Sequence, residues 1–185
     1  CFYNQKNTES KMFAGDIGPG NCLIDEWIRK NSKKNFDKYG LIARSGKKNQ
    51  LILNQALDNF QFYDKSSLDI KNFDISFAKG LSTEDGASTL TEFTAELIHE
   101  GLNDLLSKNN QDSQIPKNII VCGGGRKNKS LMRQIKQNSN KNLTFFYSED
   151  FNLNGDFIES QAFAYLAIRS VLSFPISFPS TTGCS

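Results

Sequence analysis

Asp16 stands between Gly15 and the triplet Gly18-Pro19-Gly20, in a chain with only four prolines and thirteen glycines. Glycine permits positive φ and close approach of another group, and proline fixes φ. A carboxylate held in such a turn, at a strand end and just ahead of a helix, could act as a general base toward a hydroxyl or hold a metal-bound water. A type II turn through Gly18, Pro19 and Gly20 explains the same residues without chemistry. A second stretch, VCGGGRKN at 121–128, sets Gly123, Gly124 and Gly125 between an apolar run and a helical pattern. Ligands of open α/β sheets sit at carboxyl ends of strands, and free N–H groups at helix N-termini favour anions. The pattern is neither G-x-G-x-x-G nor a Walker A loop, and a tight strand-to-helix turn is the plain alternative. Two glycine-rich strand ends in one chain favour a shared phosphate cleft over either turn alone.

The elements that must position these turns are legible in outline. A short strand is expected at Lys11–Asp16. After Asn21, a plausible N-cap, Leu23, Ile24, Trp27 and Ile28 form a helical stripe. A second helix is expected at Gln50–Phe60, followed by a long mixed connection over Gln61–Gly80. Ser82 and Asp85 resemble a capping box, and Leu90, Phe93, Leu97, Ile98, Leu102, Leu105 and Leu106 then hold a 3.6-residue period. Asn109–Lys117 reads as a polar loop. NIIVC (118–122) reads as a buried parallel strand, with a helix from about Lys129 and a further strand at Leu143–Tyr147. Ile158–Leu172 is apolar on most faces and predicts a buried helix; the tail after it should be extended. Strands alternating with helices argue for an α/β layer structure with parallel strands.

Composition narrows the function classes. At 185 residues the length suits one domain or one lobe of something larger. A net charge of +2, with lysines spread along the chain, gives no nucleic-acid footprint. Cys1, Cys22, Cys122 and Cys184 form no CxxC, so neither a zinc site nor a redox motif is supported, and free thiols in a reducing compartment are expected. No apolar run reaches the roughly 20 residues that cross a bilayer, and no signal-peptide core is visible, so a cytoplasmic protein without membrane contact is expected. His99, the single histidine, lies off the leucine stripe and suggests no triad. Asp25 either faces the cleft or complements the helix dipole. Glu159 heads an otherwise apolar helix, where it is ordinary capping chemistry or a ligand contact.

At these residues the sequence resembles the C-terminal half of the anhydro-N-acetylmuramic acid kinase family. The matching pieces are DIGPGNCLIDEW (16–27), FDKYG (36–40), KSSLDIKNFD (65–74), GLSTEDGASTLTEFTAELI (80–98), VCGGGRKN (121–128), ESQAFAYLA (159–167) and FPSTTGCS (178–185). The resemblance implies the C-terminal lobe of an actin-like, ribonuclease-H-like fold, truncated at its N-terminal side, with ATP and Mg2+ clasped between two lobes. It implies a kinase that opens the anhydro ring of a cell-wall recycling sugar with water and transfers phosphate, giving N-acetylmuramic acid 6-phosphate. By position in the motif, Asp16 would activate water, and Gly18, Gly20 and Asn21 would lie near the phosphates. Gly123, Gly124, Gly125 and Asn128 would line the adenosine side, and Glu159 would lie near the sugar.

The sequence departs from the family pattern at Ile17, where threonine is usual, at the KSSLD stretch, and at Cys184, where alanine is usual. The glycine-rich motif of the first lobe and the strand ahead of Asp16 are absent, so the 185 residues alone are expected to be inactive. The missing strand also predicts an exposed sheet edge with weak stability or self-association, a homodimer being its simplest form. The rival readings are a non-catalytic sugar- or nucleotide-binding module and an actin-like kinase for another sugar.

Overall fold

The computed structural model describes residues 15–60, 73–107, 117–139 and 142–177. The expected strand at Lys11–Asp16, the KSSLD stretch, most of the Asn109–Lys117 loop and the FPSTTGCS tail lie wholly or mostly outside them. The described chain runs α1 (Cys22–Asn31), α2 (Leu41–Ser45), α3 (Gln50–Asn59), α4 (Thr83–Ser107), β1 (Lys117–Val121), α5 (Lys129–Asn138), β2 (Leu143–Tyr147) and α6 (Ile158–Val171).

The longest element, α4, organises the rest. Its 25 residues span about 37 Å at the usual rise. The stripe read from the sequence puts Leu90, Phe93 and Leu97 into a core with Leu23, Ile24, Trp27 and Ile28 of α1 and Leu53 of α3. Each such side chain contributes on the order of 1.5–3 kcal/mol by leaving water. Thr91 and Thr94, also buried, return their hydroxyls to the carbonyls of Ala87 and Leu90, which satisfies them inside the helix. At its N-terminus Ser82 Oγ accepts from the Asp85 N–H at 3.0 Å, half of the expected box. The Asp85 carboxylate accepts instead from the Lys47 N–H at 2.8 Å. Thr89 and Glu92 continue that edge, meeting the Asn49 N–H and the Lys48 ammonium, so the lead-in to α3 is pinned along α4.

Trp27 crosses α4 at Gly86, and its indole N–H donates to Thr83 O at 2.9 Å. A Cβ built on Gly86 would overlap the indole ring. Gly86→Ala should therefore lower stability by about 1–3 kcal/mol through overpacking, read as a fall in the denaturant midpoint. An unchanged midpoint would show that the ring has room to move.

The two strands pair in parallel, Lys117 with Leu143 through Val121 with Tyr147. One face of this sheet meets a second core of Ala95, Leu131, Met132 and Ile135, with Val121, Phe145 and Tyr147 packed on it. β2 has the expected bounds and β1 lies one residue ahead of the expected 118–122, paired in parallel as expected, whereas the expectation of a buried strand fails. Burial alternates along β1, and Ile120 on the outer face is 54% exposed. The helix expected to be buried is also corrected: α6 has the expected span, yet none of its residues is buried. Phe163, Tyr165, Ile168 and Val171 on it are all exposed. Among the described residues, no helix is long and apolar enough to cross a membrane.

Candidate functional site

The first glycine turn leans on the C-terminal half of α4. Ile17 packs against Gly101, where a Cβ would overlap it, and Gly18 lies against Leu97. The turn closes one residue later than a type II turn would: the Cys22 N–H donates to Pro19 O at 3.1 Å, and Gly20 takes φ +57°. Only glycine adopts that conformation without cost. Asn21 occupies the position ahead of α1 but makes no side-chain cap there. Its amide oxygen instead accepts from Asn128 Nδ2 at 3.3 Å, across 107 positions of sequence.

That bond joins the two turns. Asn128 caps α5, its Oδ1 accepting from the Leu131 N–H at 3.1 Å, and a Cβ on Gly125 would lie 3.9 Å from the Asn21 amide. Gly123 takes φ +75°, and side chains added at Gly123, Gly124 or Gly20 would meet nothing within 4 Å. An open, glycine-surfaced space thus flanks an Asn–Asn bridge at the N-terminus of a ten-residue helix. Asp16 is exposed just ahead of the first turn. The structure therefore brings Asn21, Gly125 and Asn128 together, with Gly18 and Gly20 in the same turn as Asn21. Glu159 is exposed in the first turn of α6 and joins neither glycine turn directly.

A buried guanidinium, unremarked in the sequence, sets the shape of the second turn. Arg126 forks onto Glu149 with Nε and donates through Nη1 to both Asp156 and Gly123 O, each at 2.8 Å. Gly123 N–H donates to Gly155 O at 3.0 Å, and Gly155 packs so closely on Arg126 and Ser148 that a Cβ would overlap both. The end of β1, the end of β2 and the lead-in to α6 are thus drawn onto one side chain. Its signal in the sequence is faint: an arginine after a glycine run, with acids 23 and 30 residues later.

The Arg126 guanidinium beside it holds Glu149 down to about 2, and Arg126 and then Lys127 lower Asp156. A carboxylate depressed in the folded state stabilises the fold above its unfolded value and loses that contribution as pH falls toward the folded one. Stability should therefore decline between about pH 5 and pH 2. Arg126→Met should flatten that limb of an acid titration followed by circular dichroism. An identical acid limb in the variant would mean that other carboxylates carry it.

The FDKYG turn is a further support that the sequence matched as a motif but gave no role. Asp37 is buried and accepts from the Ile42 and Ala43 N–H groups at 2.8 and 2.9 Å. Gly40 O accepts from Ser130 Oγ at 2.6 Å, docking the turn on the first turn of α5 beside Asn128. Asp25 is half-buried; burial pushes its carboxyl up, and Oδ1 accepts from the Asp37 N–H, so it serves the turn rather than an open cleft. His99 pairs with Asn103 on α4, in keeping with a structural residue. Cys22 and Cys122 are exposed free thiols.

A family model described as anhydro-N-acetylmuramic acid kinase matches residues 6–185. A curated protein of that name from Pelagibacter ubique is 50% identical over 182 residues, 97% of this chain and 47% of its own length. Proteins of the same name from Zymomonas mobilis and Rhizorhabdus wittichii are 38% and 40% identical, each matching 95% of this chain and 46% of its own length. The chain spans about half the length of the curated relatives it matches.

Proposed function

The chain belongs to the anhydro-N-acetylmuramic acid kinase family, and from that premise we propose that it forms the C-terminal, actin-like lobe of an ATP-dependent sugar kinase. The reaction is opening of the anhydro ring of anhydro-N-acetylmuramic acid by water with phosphorylation to N-acetylmuramic acid 6-phosphate. The observation that carries the reading is the Asn21–Asn128 bridge, which sets two glycine turns on one open space beside the α5 N-terminus.

The residues fit a nucleotide. Gly123 and Gly124 leave their backbone uncovered, as a flat ring or a phosphate requires, and the α5 N-terminus favours negative charge. Gly18, Gly20 and Asn21 would hold the phosphate side, and Gly123, Gly124, Gly125 and Asn128 the adenosine side. Mg2+ is usually held through substrate phosphates and one or two carboxylates, so the chain's own share of its ligands is small. ATP with Mg2+ supplies the transferable phosphoryl group. Asp16 takes the proton from the attacking water, and Glu159 orients the sugar. Positioning and charge neutralisation supply most of the acceleration in such transfers, which is the work assigned to the two turns.

Gly124 gives a clean test because a Cβ added there meets nothing within 4 Å beyond its chain neighbours. In a polypeptide of full family length, Gly124→Val should leave the melting temperature unchanged and weaken ATP binding at least about tenfold, the equivalent of about 1.4 kcal/mol. Unaltered ATP affinity by calorimetry would sink the assignment of this turn.

A further inference from the structure

Gly101 sits in the body of α4, where glycine weakens a helix relative to alanine. It does not take the positive φ that would require glycine there. What it supplies is room. A Cβ on Gly101 would overlap Ile17 Cγ2 and would stand only 3.0 Å from Ile17 Cβ and 3.1 Å from its Cγ1. One turn earlier on the same helix, Leu97 is buried, and a Cβ on Gly18 would meet it at 3.5 Å. Residues four apart share a helix face, so Leu97 and Gly101 form one seat for the chain at Ile17 and Gly18.

We propose that Gly101 is a positioning residue for Asp16, acting through Ile17; the inference rests on the reading of Asp16 as the base that activates water. Asp16 lies in neither a helix nor a strand and is joined to Ile17 by one peptide bond. The depth to which Ile17 sinks into α4 therefore sets where the carboxylate stands. A β-branched side chain has little rotamer freedom with which to evade a new methyl group. The helix cannot retreat, because Leu97 and Ala95 beside it are packed into the two cores. The chain after Ile17 is held as well: Pro19 is buried, its carbonyl accepts from the Cys22 N–H at 3.1 Å, and Asn21 meets Asn128. A methyl group at position 101 is thus relieved upstream, at Asp16. Regaining ordinary carbon–carbon contact takes a shift on the order of 1 Å, enough to cost a positioned reaction about a hundredfold.

Paired kinetics and calorimetry test it. In a polypeptide of full family length, Gly101→Ala should lower kcat about a hundredfold while ATP affinity stays within about threefold. Adding Ile17→Ala removes the overlapping methyl group. The double variant should turn over at least about tenfold faster than Gly101→Ala alone, a coupling that independent sites do not show. Unchanged turnover in Gly101→Ala would overturn the inference. So would a double variant no faster than the single one, or ATP affinity lost in step with turnover. A Gly101→Ala chain that melts early, with neither melting temperature nor turnover restored by Ile17→Ala, would count against it equally. Asp16→Asn, run alongside, separates this failure from that of the underlying reading. Turnover kept by Asp16→Asn removes the base itself; turnover lost there and kept in Gly101→Ala removes only the role of Gly101.

Discussion

Replacing Asp16 by Asn in a polypeptide of full family length should lower turnover of the anhydro sugar by roughly 10²–10⁴-fold, the usual worth of a positioned general base. ATP affinity should change little, because the nucleotide contacts assigned above belong to the glycine turns and to the Asn21–Asn128 bridge. The amide is nearly the same size as the carboxylate and cannot accept the proton of water at neutral pH. The side chain is exposed, so the isosteric amide leaves no cavity in the core. Steady-state rates paired with calorimetric ATP titration make the separation. Retained turnover would remove Asp16 from the chemistry and favour a binding module. Lost turnover with ATP affinity lost in step would make Asp16 a nucleotide contact instead.

The second large effect is on stability. Asp37 is 4% exposed, and both its oxygens accept from backbone N–H groups that open α2. Asp37→Ala leaves two donors without partners, the Ala43 N–H buried and the Ile42 N–H half-buried, at about 1–3 kcal/mol for a buried one. The expected loss is about 2–5 kcal/mol, a large share of the 5–15 kcal/mol typical of a domain. Asp37→Asn keeps one acceptor and should cost roughly half as much. The damage should spread to the site, because the same turn offers Gly40 O to Ser130 beside Asn128. Urea unfolding of both variants provides the check. A loss under about 1 kcal/mol for the alanine variant would mean that water reaches the two N–H groups.

Elements with their own period were readable from letters. The stripe Leu23, Ile24, Trp27, Ile28 and the first part of the α4 stripe, Leu90, Phe93 and Leu97, appear as buried faces, and β2 has the bounds expected of it. The two glycine turns were visible too, since positive φ at Gly20 and Gly123 is what glycine is for. What failed to show was anything that depends on a distant partner. Asn21 looked like a helix cap because its type and place suit one, and only the fold supplies Asn128 as a competing donor. Arg126 carried no local signal, since its partners Glu149 and Asp156 lie 23 and 30 residues further on. The apolar run of α6 led to the expectation of a buried helix, and none of its residues is buried: hydropathy records a preference and not what is at hand to meet it.

The Arg126 bracket has a mechanical consequence. Gly155 admits no added atom against the guanidinium, and the same guanidinium grips the carbonyl of Gly123. The lead into α6 is therefore tied to the glycine turn through Arg126. Displacing the Gly123 carbonyl should be felt at the root of α6 through one side chain.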